Sequence, residues 1–270
     1  MFDLKGKGAL VTGASGGIGG AIAKALHAQG ASVAISGTNK EKLDALAAEL
    51  GSRVFVLPCD LRDRAAVTKL GEEAEKALGQ VDILVTNAGI VREGAIANIL
   101  DEDWEAQLRT MLGGTFLCTQ LFTRHLKGRG SPGRVLMVSS QLGLQGASQV
   151  ASYCSAKAAI CGFGLTAAQE LAEFGITVNI LSPMAYTRLT AGLPLMDFPN
   201  AEQLMSPDFC GDISSYLVSD AAAHITGQII HVQGSQLSAF KIAMTDGVAP
   251  RSGDSWSPEE IRERWSEIVR

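Results

Sequence analysis

No apolar run in this 270-residue chain approaches the roughly 20 residues needed to cross a bilayer. No cluster of Lys and Arg marks a surface for nucleic acid or anionic lipid, and the formal net charge is −5. The start, MFDLKGKGALVTG, enters a strand-like run almost at once and lacks the layout of a signal peptide. Histidine is scarce: His27, His125, His224 and His231 are scattered without metal-ligand spacing. The five cysteines, Cys59, Cys118, Cys154, Cys161 and Cys210, form no CxxC pair. Free thiols in a reducing compartment are therefore expected, and only Cys154, beside Tyr153, is placed to matter to a site. These shortages predict a soluble, cytoplasmic protein with no metal site, no nucleic-acid partner and no membrane.

What is present is a globular composition, 46% hydrophobic and 19% charged. Short Val/Ile/Leu runs alternate with longer helical patterns. Strands are expected at GALVTG, SVAIS, RVFVLPCD, DILVTNAG, RVLMVSS, ITVNILSP and GQIIHVQG. Between them, apolar residues recur at helical spacing, as in Ile18, Ile22, Ala25 and Leu26 before Gly30. A long helix from Asp101 carries Trp104, Leu108, Met111, Leu112 and Phe116 on one face, and another runs from Tyr153 to Phe174. Near-continuous apolar strands separated by helices predict an α/β fold, a Rossmann-type doubly wound parallel sheet of seven strands in a single domain. The domain is expected over 1–240, with an extension over 241–270 whose helix begins near Ser257. Pro194, Pro199 and Pro207 interrupt a long connection, so a substrate lid is expected at about 184–211.

Two stretches carry chemistry. TGASGGIG, Thr12 to Gly19, follows the first strand and opens the first helix. Glycines there allow a tight turn and close backbone approach, and the helix N-terminus suits a pyrophosphate. The same letters also make an ordinary strand-to-helix turn. YCSAK, Tyr153 to Lys157, puts a phenol and an ammonium on one helix face. Alone, it reads first as a surface lysine lying along a half-buried ring.

With TNAG at Thr86 to Gly89 and Ser140 added in register, TGxxxGxG and YxxxK resemble the short-chain dehydrogenase/reductase family over residues 3–235. The N-terminal third is similar to 3-oxoacyl-(acyl-carrier-protein) reductases. The later part, with SPMAYTRLT, is similar to the dehydrogenase modules of multifunctional β-oxidation enzymes. The resemblance implies a nicotinamide dinucleotide. Gly13, Ser15, Gly17, Ile18 and Gly19 would hold the pyrophosphate side; Asp60 and Leu61 would bracket the adenine, although Asp60 also reads as a helix cap. Asn87, Ala88 and Gly89 would back the nicotinamide ribose, joined by Tyr153, Lys157, Pro183, Met184 and Thr187. At the second strand's end Gly37 stands where a ribose-binding carboxylate is expected, among Ser36, Thr38, Asn39 and Lys40. NADP(H) is therefore favoured, with NAD(H) possible.

The resemblance also implies a catalytic trio of Ser140, Tyr153 and Lys157. Tyr153 would be the acid or base, its pKa drawn down from about 10 by the Lys157 charge. Ser140 would donate to the substrate oxygen, although SSQLG also reads as a strand-end turn. Gln141, Leu142, Ala185 and Tyr186 would line the substrate side with the lid residues Leu193, Leu195, Met196, Phe198 and Met205. These are mostly apolar, as suits a 3-oxoacyl thioester, an alicyclic ring or a steroid; they read equally as a lid packed on its own core. The expected activity interconverts a secondary alcohol and a ketone in a homotetramer or homodimer. Two departures stand out: Met111 where the family usually has Asn, and Met184 where it usually has Gly. They leave open a catalytically impaired dinucleotide-binding regulator or scaffold.

Overall fold

A computed structural model describes residues 2–269. The chain divides into two compact units, Met1–Ala239 and Phe240–Arg270. Seven strands of the first unit are β1 Gly8–Thr12, β2 Ser32–Ser36, β3 Val54–Val56, β4 Ile83–Thr86, β5 Gly133–Val138, β6 Ile176–Met184 and β7 Ile229–Gln233, and β8 is Gln236–Phe240. The order is β3-β2-β1-β4-β5-β6-β7-β8. Each pairing from β3 through β7 is parallel, including Val11 with Ile35 and Val85 with Leu136. β8 corrects the expected count of seven. Only Gly234 and Ser235 separate it from β7, too few for the crossover a parallel neighbour needs, so it turns back as a hairpin arm.

The helices are α1 Gly17–Ala28, α2 Lys40–Leu50, α3 Arg64–Leu78, α4 Asp101–Leu108, α5 Gly114–Arg129, α6 Leu142–Gln145, α7 Ala151–Leu171, α8 Ala201–Leu204, α9 Asp208–Leu217 and α10 Pro258–Ile268. Strand side chains alternate between faces. Val11, Ile35, Val85 and Leu136 pack with Ile22 and Leu26 of α1, Leu43 of α2 and Leu217 of α9. Leu10, Leu84 and Met137, one position along, are buried too. Burying each such side chain stabilises the fold by about 1.5–3 kcal/mol. Local chemistry sets the ends. Asn39 accepts from Lys42 N and Asp63 from Ala65 N, capping α2 and α3. Gly130 ends α5 in the left-handed conformation.

The long helix expected from Asp101 is interrupted. Arg109–Gly113 forms a π-helical turn between α4 and α5, a distortion that recurs at functional sites. Its expected apolar face divides accordingly: Met111 is fully buried, whereas Trp104 and Phe116 remain exposed. In the second unit Ser257 caps α10 by accepting from Glu260 N, as its sequence predicts. Arg264 pairs there with Glu260 and Glu267 and lies over the Trp256 ring.

Candidate active site

Parallel strands deliver their C-terminal ends to one edge, and the order reverses between β1 and β4, where such sheets bind ligands. Gly13 leaves β1 at φ +67°, and a methyl group there would lie 2.6 Å from Ala88 Cα. One built on Gly19 would strike Asn87 Nδ2 and the Gly13 carbonyl. Asn87 explains the closeness. Its Nδ2 donates to the carbonyls of Thr12, at 3.2 Å, and Gly13, at 3.1 Å, tying the end of β4 to the glycine turn. Ser15, Gly16 and Gly17 stay accessible at the N-terminus of α1, whose free N–H groups suit an anion. Ile18 turns its side chain to the core and offers that site only its backbone. Thr187 borders the same N-terminus: a methyl on Gly17 would sit 3.0 Å from its Cγ2.

At the end of β2 the Ser36 hydroxyl is buried without a hydrogen-bond partner. A Cβ at Gly37 would meet Ser15 Oγ at 2.9 Å, and Thr38 is exposed. The other two donors expected here are engaged elsewhere, Asn39 as the α2 cap and Lys40 in an ion pair with Asp44. The glycine cradle and the orphaned hydroxyl fit a dinucleotide. Asp60 is no helix cap; that role falls to Asp63. Asp60 instead pairs with Arg62, whose guanidinium holds the carboxyl below its ordinary range. Leu61 is buried against Gly114, so only its backbone could face a base.

Ser140 follows β5, and α7 brings Tyr153 and Lys157 beside it. Leu142 N donates to Ser140 Oγ at 3.2 Å, leaving the serine hydrogen free to be given elsewhere, and Ser140 lies near enough to Tyr153 to lower the phenol's pKa. Lys157 is buried, against the surface-lysine reading, and Nζ donates to the Val138 carbonyl at 2.7 Å. Burial lowers its pKa from 10.5 to about 8. The expected effect of Lys157 on Tyr153 does not dominate. Desolvation is the largest influence and raises the phenol's pKa, and the neighbouring Ser140 is what opposes it. Lys157 Nζ stands 5.7 Å from the Tyr153 ring centroid.

Met111 belongs to this neighbourhood. A methyl on Gly89 would rest 3.5 Å from Met111 Sδ and 3.8 Å from Lys157 Nζ, so the thioether lies where only a weak acceptor is offered. Pro183 and Met184 end β6 opposite Val232 and Gln233. Ala185 is buried, and Tyr186 N donates to Met205 O at 2.6 Å. The lid residues divide: Met196 and Met205 are buried, whereas Leu193, Leu195 and Phe198 are exposed. Gln141 and Leu142 are half-buried at the start of α6. Sequence reasoning misses Gln107, Val138 and Gly143. A glutamine on an otherwise apolar helix face is the one visible signal among them.

Among the described residues no His/Cys/Asp/Glu group could hold a metal, and no helix is long and apolar enough to cross a membrane. A family model for short chain dehydrogenase matches residues 7–193. Nodulation protein G of a Rhizobium species is 43% identical over 242 residues, covering 87% of this chain and 98% of that protein. The 3-oxoacyl-(acyl-carrier-protein) reductase FabG of Escherichia coli is 35% identical, covering 86% and 98%. The hydroxyacyl-CoA dehydrogenase ChsB1 of Mycobacterium tuberculosis is 32% identical, covering 96% and 87%. A short chain dehydrogenase structure from Mycobacterium avium superposes with TM-score 0.85 at 28% identity, covering 98% of this chain and 95% of that one.

Proposed function

Because this chain belongs to the short-chain dehydrogenase/reductase family and is an enzyme of that class, we propose that it interconverts a secondary alcohol and a ketone on an apolar substrate, with NADP(H) as the favoured dinucleotide. The observation that carries the reading is the convergence of Ser140, Tyr153 and Lys157 at one sheet edge. The nicotinamide supplies or accepts the hydride when bound. In reduction Tyr153 gives its hydroxyl proton to the carbonyl oxygen, and Ser140 donates a hydrogen bond to that oxygen as negative charge develops there. Gly13, Ser15, Gly17 and Gly19 would hold the pyrophosphate, and Asn87 keeps their turn in place.

A 3-oxoacyl thioester leads the candidate substrates, since FabG and ChsB1 are named for 3-oxoacyl and hydroxyacyl chemistry. Alicyclic and steroid ketones follow, supported by the apolar lid. A panel of 3-oxoacyl thioesters and cyclic ketones, followed by loss of reduced-nicotinamide absorbance, tests the reading. Dinucleotide protection against heat with no turnover on any member would overturn it. The same reading carries a homodimer or homotetramer, for which Phe116 and Trp104 supply exposed rings. Light scattering that reports a monomer at micromolar concentration would contradict this assembly.

The dinucleotide preference rests on the end of β2, where no carboxylate stands to repel a 2′-phosphate. Gly37→Asp is expected to shift the ratio of kcat/KM values toward NAD(H) by at least about tenfold, the scale of one like-charge juxtaposition. The one close contact of the added Cβ is with Ser15 Oγ at 2.9 Å, the end of a rotatable side chain, and Ser15 Cβ and N lie at ordinary contact distance, so the fold should accept it. An unchanged ratio would show that Gly37 does not read the phosphate.

A further inference from the structure

Gln107 is fully buried in the last turn of α4, and its carboxamide is occupied on both sides. Oε1 accepts from Arg92 N at 3.0 Å, and Nε2 donates to Arg92 O at 3.2 Å. The side chain thus grips both backbone groups of Arg92, as a neighbouring strand would. Nε2 also donates to Ser152 Oγ, and more distantly to Asp103 O at 3.4 Å within its own helix. The amide cannot be reversed, since that would face one N–H against the Arg92 N–H.

Ser152 directly precedes Tyr153 in the first turn of α7. The N-cap of that helix, Val150, makes no side-chain cap bond, and Gln149 before it is a non-glycine residue at φ +65°. Such a conformation persists where its surroundings over-determine it. Gly94 N donates to Gln149 O at 2.8 Å, and Gly94 bridges Val150. Segment 92–94 therefore supports the start of α7, and Gln107 holds that segment and α7 together.

We propose that Gln107 is a positioning residue for Tyr153, setting the phenol's place by locking the first turn of α7 to Arg92 and Gly94. The proposal rests on the acid–base reading of Tyr153. A displacement of about 1 Å at a reacting group can cost on the order of 100-fold in rate, so the loss of this tie should be visible in turnover.

The test uses Ser152→Ala, which removes only the tie to α7, and Gln107→Leu, which removes the whole grip. Ser152→Ala is expected to lower kcat about tenfold and Gln107→Leu about 100-fold, with KM for the dinucleotide unchanged. The alkaline limb of the kcat profile should move in both. Amide hydrogen exchange over residues 151–154 should quicken in both, whatever the substrate. Unchanged kcat and pH profile in the folded variants would overturn the proposal, as would unchanged exchange. If Tyr153→Phe kept its turnover, the acid–base reading itself would fall and take the catalytic role of Gln107 with it. The exchange data would still report whether the tie exists.

Discussion

Tyr153→Phe should lower kcat by about 10²–10⁴-fold, the usual contribution of a positioned acid or base, while dinucleotide affinity stays within a few fold. The ring remains in its half-buried place, so folding is preserved. Only the hydroxyl is lost, the group whose pKa the neighbouring Ser140 lowers. Single-turnover kinetics on the best ketone of the panel, beside a fluorescence titration of the dinucleotide, read the two quantities separately. Substantial residual turnover at neutral pH would remove Tyr153 from the chemistry.

The second large effect is expected at Gly143, in the short helix α6. A methyl group there would lie 2.6 Å from both the Lys157 carbonyl carbon and the Ala158 nitrogen. Both are backbone atoms of α7 and cannot rotate aside. The turn that carries Gly143 is anchored on Ser140, through Gly143 N to Ser140 O at 3.0 Å. Relief of the clash therefore separates Ser140 from Tyr153. Gly143→Ala should lower kcat by roughly 100-fold and cost about 1–3 kcal/mol of stability through overpacking, with dinucleotide affinity unchanged. Gly162→Ala is the control, on α7 itself with nothing within 4 Å of the added methyl. Equal losses in the two variants would mean that α7, rather than the Ser140 turn, had been disturbed.

The strongly patterned parts of this fold are legible in the sequence. β1, the glycine turn and α1 are one continuous signal, an apolar run followed by glycines and a helical repeat, and their roles depend on local sequence. Tyr153 and Lys157 are legible because residues four apart on a helix always share a face. β8 is not: QLSAF is short and exposed, and its two-residue connection reads as the start of a tail. The π-helical turn at Arg109–Gly113 leaves no periodic trace over five residues. Asp60 is ambiguous in sequence because a cap and an ion-pair partner look alike until Arg62 is seen to fold back on it. The balance of influences on Tyr153 is hidden for a different reason. Sequence spacing brings a charge near, but it does not report which way Nζ points or how much water is excluded.

Lys157 also bears on how the protein responds to alkali. The unfolded chain keeps the ammonium protonated up to about 10.5, whereas the folded chain releases it near 8 because burial disfavours the charge. Between those values the unfolded state binds more protons, so this group makes folding more favourable as pH rises. Below 8 both states are charged and the full burden of the buried ammonium is carried, equivalent to roughly 3 kcal/mol. The fold is thus least relaxed while the buried Lys157 is charged. Melting temperatures measured without dinucleotide should climb from pH 8 toward pH 10 until other groups titrate. A Lys157→Met variant, inactive but isosteric along its stem, should start from the higher value and lose that climb.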